Sequence, residues 1–291
     1  MVTPGFLQSP NVIRWFGSIE PAWTLLTVES FNALRHEPSK ERRALVLASD
    51  LTDTEISLSP IARNMLLFLQ RASVGEGLKL TGAGNLSRAV VAEMVDLFEW
   101  PEFDRAEAHR YHKLLNEPDF LPLYFVRHIA TQAKLVRPYR GFLRPTQLGR
   151  DLPSEARRRA LQSILFHVTF WHADLSYFGR SMFGTWPQSD AGVLFWSLSV
   201  SASNWQMPET LSRLCSIPII GVLESTWDTG SMLVEARILR PLLWFGLLEH
   251  RSEAIQGNLL GQRHFYRKSK LFDRFFAFNV EFERTSSTGQ H

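Results

Sequence analysis

The stretch that decides the fold is LYFVRHIATQAKLVRPYRGFLRPTQLGRDL, residues 123–152. Pro138 cannot continue a helix and disfavours helical dihedrals at the residue before it, so a helix that covers the first part of the stretch is predicted to end near Leu135 or Val136. The apolar residues of that helix recur at spacings of three and four, which places them on one buried face. They are Leu123, Phe125, Val126, Ile129, Ala130, Ala133 and Val136.

A short hairpin is predicted to follow this helix. Tyr139, Arg140 and Gly141 form a tight turn, because glycine readily adopts positive φ, and residues 142–144 form the returning strand. Thr146 can then cap the helix that comes next. A helix, a small hairpin and the start of a second helix, in this order, are typical of a winged helix.

The region around this hairpin is strongly basic. Between Lys134 and Arg159 there are eight basic and two acidic residues, a local excess of six. Arg and Lys side chains displace the counterions of a phosphate backbone, so Lys134, Arg137, Arg140 and Arg144 are predicted to contact double-stranded DNA. A solvated surface is the competing interpretation. Winged helices also dock proteins and form dimers, so the fold does not fix the function.

Composition sets broad limits on the protein. A chain of 291 residues, with 45% hydrophobic and 21% charged residues, fits roughly two globular domains. A net charge of +3 makes any nucleic-acid argument depend on local clusters. The single cysteine, Cys215, excludes an internal disulfide and fits a reducing compartment. Since no secretory signal and no apolar run of ~20 residues are seen, we expect a cytoplasmic protein without a membrane span.

The rest of the chain predicts a mainly α, multi-helical fold with winged-helix-like units that carry short β-hairpins. Helices are predicted over 21–34, from Pro60 with Ser59 as its N-cap, after Ser87, from Ser154 to about 177, and over 191–201. We predict four segments. They are an N-terminal arm and helix (1–57), a winged-helix-like domain (58–153), a second helical domain that ends in a winged-helix-like unit (154–284) and a disordered tail (285–291).

The second winged-helix-like unit is predicted from a helix, a strand and a returning strand near the C-terminus. The pair Arg240-Pro241 predicts a kink or a break in that helix. Basic residues follow in the returning strand, and Arg267 and Lys268 are predicted to assist nucleic-acid contact. The strand then gives way through Ser269 to a Leu-Phe run, which echoes the passage through Thr146.

No catalytic or cofactor-binding motif is recognised. Ser176, His172 and Asp174 could be combined into a triad, but the sequence context of a nucleophile elbow is missing. The glycines at 82 and 84 lack the third glycine and the lysine of a phosphate-binding loop. We therefore expect a non-enzymatic protein without a cofactor.

Two further alternatives were weighed. The pairs His109 and His112, and His167 and His172, lack a familiar metal-ligand pattern, so structural histidines are favoured over a metal site. A protein-interaction or scaffold module, or a homo-oligomer, could instead use an aromatic surface around Trp186, Trp205 and Trp227. That module is the main alternative to nucleic-acid binding.

Four blocks of the sequence carry a family likeness. LKLTGAGNLSRAVV (78–91), GFLRPTQLGRDL (141–152), RILRPLLWFGLLE (237–249) and FYRKSKLFDRFFAF (265–278) resemble the helical, winged-helix-like region of bacterial proteins of the Ri-plasmid open-reading-frame-three type. The likeness covers about residues 58–280, but this chain lacks the β-rich domain of those proteins. The resemblance implies a fold and a bacterial, mobile-element origin, and it assigns no catalytic residue.

Overall fold

The computed structural model describes residues 4–39, 41, 43–103, 105–109, 113–178, 183–255 and 261–283. The predicted tail at 285–291 and His112 lie outside these residues. The described chain is mainly α-helical, as the sequence predicts, with small antiparallel sheets. No helix in the described ranges is both long and apolar enough to span a membrane.

The helices and strands are short. The α-helices are α1 (Pro4–Leu7), α2 (Pro10–Phe16), α3 (Val28–Leu34), α4 (Asp53–Ser57), α5 (Pro60–Ala72), α6 (Arg88–Leu97), α7 (Arg105–His109), α8 (Leu121–Gln132), α9 (Gln147–Asp151), α10 (Glu155–Arg158), α11 (Leu161–His167), α12 (Ala191–Ser201), α13 (Pro208–Cys215), α14 (Ile220–Leu223), α15 (Thr229–Val234), α16 (Arg240–Trp244) and α17 (Lys270–Phe275). The strands are β1 (Leu45–Leu47), β2 (Leu78–Lys79), β3 (Val136–Tyr139), β4 (Phe142–Pro145), β5 (Leu248–Ala254), β6 (Gln262–Lys268) and β7 (Phe276–Phe278). Single turns of 3₁₀-helix cover Ala22–Leu25, Glu117–Asp119, Leu175–Phe178 and Gln188–Asp190, and π-helical turns cover Val168–His172 and Glu235–Leu239.

The chain divides into two compact units, which we name for their place in the sequence. The central unit comprises residues 48–174 with 244–246, and the flanking unit comprises the described residues of 1–47, 175–243 and 247–291. Residues 154–174 therefore fold with the central unit and not with the C-terminal segment. One reason is that Gln162 in α11 donates a hydrogen bond of 2.8 Å to the carbonyl of Phe245.

The central unit contains a three-stranded sheet and the predicted hairpin. Its strands lie in the order β2-β4-β3, and both pairings are antiparallel. Arg140 and Gly141 both have positive φ, +49° and +80°, the conformation of the two-residue turn that best suits a twisted hairpin. Thr146 caps α9 by accepting a hydrogen bond from the amide of Gly149. The hairpin and the cap are thus confirmed.

The core of the central unit forms around α5 and α8. Ser59 caps α5 as predicted, and the apolar face of α8 is completely buried. The rings of Phe125 and Trp244 meet edge to face at 4.8 Å, and Trp100 packs at 5.5 Å from Trp244. Buried aromatic pairs of this kind stabilise a core beyond their buried area alone.

The flanking unit repeats the order of elements seen in the central unit. In the central unit α5 is followed by β2, α6, α8 and the β3–β4 hairpin. In the flanking unit α12 is followed by Gln206, which bridges to Tyr266 in β6, and then by α13, α15 with α16, and the β5–β6 hairpin. Both units thus place a first short strand beside the last strand of a hairpin.

The same hydrogen bonds join helix and hairpin in both units. The amide of Leu135 donates to the carbonyl of Ala130 at 2.8 Å, and that of Leu247 donates to Leu242 at 2.9 Å. The carbonyls of these leucines then accept from the residues after each hairpin, which are Thr146 (2.8 Å) and Ser269 (3.0 Å). The echo between Thr146 and Ser269 in the sequence is therefore an equivalence in backbone structure.

Several helices depart from the sequence prediction. The helix over 21–34 is interrupted at Leu26, because its backbone is extended and Thr27 starts α3 as N-cap. The segment from 154 to 177 is divided into α10, α11 and further turns. No break occurs at Pro241, since the π-helical turn just before it shifts the hydrogen-bond pattern and the helix continues as α16.

Candidate nucleic-acid interface

The sheet of the central unit has one buried and one exposed face. Strand register places Leu78 opposite Leu143, and Val136 opposite Pro145, and all four side chains are buried. Side chains alternate along a strand, so the residues between them point to the other face. That exposed face is basic and aromatic, and it consists of Lys79, Arg137, Tyr139, Phe142 and Arg144.

Tyr139 lies at the centre of this face and is surrounded by guanidinium groups. The carbon of the guanidinium lies 5.1 Å from the ring centroid for Arg144, 5.2 Å for Arg140 and 6.0 Å for Arg137. The ring is itself 41% exposed. We call Lys79, Arg137, Tyr139, Arg140, Phe142 and Arg144 the basic-aromatic face.

The cations of this face differ in how they are balanced. Arg144 donates to the carbonyl of Glu76 at 2.6 Å and lies 3.8 Å from its carboxylate. In the described chain no carboxylate lies within ion-pair distance of Arg137, Arg140 or Lys134, and all three side chains are exposed. The region therefore carries a concentrated and largely uncompensated positive charge.

Lys79 is a member of the face that the sequence argument missed. It stands opposite Phe142 in the sheet and is exposed. A strand of two residues gives no periodic signal, and its pairing with a strand more than sixty residues away cannot be derived from local pattern. The alternation Leu78-Lys79-Leu80 beside Gly77 was the available hint.

The flanking unit neutralises its own predicted site residues. Arg267 forms an ion pair with Glu249 at 2.6 Å, directly across the β5–β6 ladder. Lys268 lies 2.9 Å from the carboxylate of Asp273 and 3.0 Å from the carbonyl of Ser199. These two cations are paired with carboxylates, unlike Arg137 and Arg140.

Helix α8 precedes the hairpin but presents little free positive charge. Its guanidinium, on Arg127, pairs with the carboxylate of Glu117 and donates to the carbonyl of Gly84 at 2.6 Å. Glu117 is 1% exposed and also accepts from the amide of Leu86 at 2.6 Å. A paired buried carboxylate holds Arg127 in a structural role.

His128 adds a pH dependence to the stability of the central unit. Burial lowers the pKa of His128, although the negative charge of Asp174 partly opposes this shift. Below about pH 6.5, the usual pKa of histidine, the unfolded chain binds the proton before the folded chain does. We expect the free energy of unfolding to fall as the pH drops from 7 to 5, and His128→Gln to remove that part of the fall. Urea titrations at several pH values measure it, and equal slopes for both proteins would contradict the prediction.

The structure also locates the residues of the alternative hypotheses. His167 and His172 lie on and beside the π-helical turn of the central unit with ring centroids 5.1 Å apart. Trp186 was wrongly assigned to an aromatic surface, because it is 3% exposed and its indole donates to the carbonyl of Ile217. Trp205 carries the guanidinium of Arg267 at 4.5 Å, whereas Trp227 is 80% exposed.

Comparison with known proteins places the similarity on the central unit. The family model described as the Y4jL N-terminal domain matches residues 57–158. An uncharacterized protein, y4jL of Sinorhizobium fredii (strain NBRC 101917 / NGR234), is 35% identical over 95 residues, 33% of this chain and 43% of that protein. The chain thus spans less than half of this curated relative. No solved structure gives a significant match.

Proposed function

We propose that the central unit is a non-enzymatic winged-helix module that binds nucleic acid through its basic-aromatic face. The order of α5, β2, α6, α8 and the β3–β4 hairpin, with the sheet order β2-β4-β3, supports the winged-helix assignment. The flanking unit has the same order of elements, which supports a second module of this kind. The bacterial, plasmid-related origin and the cytoplasmic location stay predictions.

The observation that carries the proposal is the cluster of three guanidinium groups around Tyr139. All three lie within about 6 Å of one ring centroid, so their mutual separations are of the order of the Debye length, ~10 Å. Like charges at this spacing repel one another and destabilise the free protein slightly. A phosphate placed between them removes the repulsion and gains charge-assisted hydrogen bonds.

The flanking hairpin contributes less to this proposal. Its cations Arg267 and Lys268 already have carboxylate partners, and a phosphate would have to compete with Glu249 and Asp273. Arg251 likewise lies 3.4 Å from Glu253. We therefore assign the main contact to Arg137, Arg140 and Arg144, with Lys79 and Lys134 beside them.

The double variant Arg137→Ala with Arg140→Ala tests the proposal. We expect its affinity for nucleic acid to fall about tenfold or more at ~50 mM salt, because two phosphate contacts are lost. The slope of log affinity against log salt should also decrease by about two contacts. Fluorescence anisotropy with labelled 30-residue DNA, as single strand and as duplex, measures both quantities.

A charge-matched control comes from the flanking unit. The double variant Arg267→Ala with Lys268→Ala removes the same formal charge but only cations that are already paired, so we expect an affinity change of less than about twofold. Absence of binding by the wild-type protein to both forms of DNA would overturn the proposal. An equal loss in both double variants would overturn the assignment to the central unit.

A protein-docking function is the second candidate. Trp227, Ile220 and Met232 in the flanking unit are 80%, 72% and 65% exposed, which is unusual for large apolar side chains. A stable oligomer or a co-purified protein, together with no affinity for nucleic acid, would favour this function over the first.

A further inference from the structure

We infer that the nucleic acid bound at the basic-aromatic face is single-stranded. This inference deepens the proposed function and rests on it. The argument concerns which form of nucleic acid can use the groups that the face exposes, and which form the neighbouring helix could read.

Helix α8 is poorly equipped to read a duplex. A helix that enters the major groove uses basic and amide side chains on base edges, with further cations on the phosphates. The guanidinium of Arg127 is held by Glu117 and Gly84, and the lowered pKa of His128 keeps that imidazole neutral at pH 7. The exposed side chains at the end of the helix, Thr131 and Gln132, carry no charge. The helix therefore lacks the cations that would hold it in a groove.

The sheet face, in contrast, offers what unpaired bases need. In a duplex the faces of the bases are stacked on one another, so an exposed aromatic ring on the protein gains nothing from them. In a single strand the bases can leave the stack and lie on aromatic rings or on guanidinium planes. Tyr139 is 41% exposed, and Phe142 stands opposite it in the neighbouring strand.

The positions of the cations fit the same interpretation. Arg137 and Arg144 form a cross-strand pair on one side of the row Lys79, Phe142 and Tyr139, and Arg140 lies in the turn at the other end of the hairpin. Cations thus lie on both sides of the aromatic pair. Three strands about 4.8 Å apart give a face roughly 10 Å wide, enough for a run of about two or three nucleotides. The backbone phosphates of such a run would meet the cations while its bases stack.

The test compares single-stranded and duplex DNA of the same sequence in the wild-type protein and in Tyr139→Ala and Tyr139→Phe. Using anisotropy of labelled 15-residue DNA, we expect the single strand to bind at least about tenfold more tightly than the duplex. Tyr139→Ala should weaken single-strand binding about tenfold and leave duplex binding unchanged, because only stacking is removed. Tyr139→Phe keeps the ring and should bind like the wild type. Circular dichroism establishes that each variant is folded.

The outcomes separate this inference from the proposed function. Equal or tighter binding of the duplex, or a single-strand affinity that Tyr139→Ala leaves unchanged, overturns the inference while nucleic-acid binding itself stands. Loss of affinity for both forms by the same factor in Tyr139→Ala overturns the stacking role, since it indicates disturbed arginines. No binding of either form by the wild type overturns both.

Discussion

Replacing Gly149 with alanine is expected to lower the free energy of unfolding of the central unit by about 3 kcal/mol. A Cβ atom at this position would lie 2.0 Å from the carbonyl oxygen of Leu135, far inside van der Waals contact. The obstacle is backbone, so no side-chain rotation relieves it. Chemical denaturation with urea, followed by circular dichroism, measures the loss as a lower midpoint with an unchanged slope.

The Leu135 carbonyl cannot easily move out of the way. It accepts from the amide of Thr146 at 2.8 Å, while the amide of Leu135 donates to Ala130. Moving this peptide would break the connection between α8 and the hairpin, and with it the geometry of the basic-aromatic face. Gly149 is thus required by close approach of two backbone segments, and the conformation of α9 itself would accept alanine.

Gly82 provides the matched control in the same unit. An added Cβ there meets no atom within 4 Å, and its φ is not in the left-handed region. Gly82→Ala should therefore change the free energy of unfolding by no more than about 0.5 kcal/mol. Similar unfolding midpoints for the two glycine variants would contradict the argument from close approach.

Local chemistry explains which parts of the fold could be predicted. The hairpin follows from Pro138, Gly141 and the alternation between them, and the start of α5 follows from the Ser59-Pro60 pair. These signals act over a few residues and need no knowledge of tertiary contacts. The mainly helical class follows in the same way from apolar periodicity.

Features that depend on distant pairing could not be predicted. Lys79 joins the basic-aromatic face only because β2 pairs with β4, and Arg267 is neutralised only because the register of β5 and β6 places Glu249 opposite it. Trp186 is buried because its indole finds a carbonyl thirty-one residues away. A composition count sees the charges and the aromatic residues, but it cannot see which of them are already satisfied.

Replacing Arg237 with methionine is expected to lower the free energy of unfolding by about 3 kcal/mol. Arg237 lies in the π-helical turn of the flanking unit and is 1% exposed. Its guanidinium donates to the carbonyl of Gly184 at 2.7 Å and to the carbonyl of Trp186. Methionine fills a similar volume but donates to neither oxygen. Urea denaturation measures the loss, and Trp186 emission should shift to longer wavelength if the turn it occupies loosens.

Two opposing effects decide the sign of this change. Burying a guanidinium is unfavourable in itself, and replacing a buried ion with an apolar side chain can be neutral when every partner is replaced too. Here the partners are backbone carbonyls, which no single substitution removes, so the cost of leaving them without these donors is larger than the gain from removing the charge. Arg240→Met, in the next turn of the same helical segment, removes an exposed guanidinium and should leave the midpoint nearly unchanged. An Arg237→Met midpoint equal to that of Arg240→Met would show that desolvation of the guanidinium outweighs its hydrogen bonds.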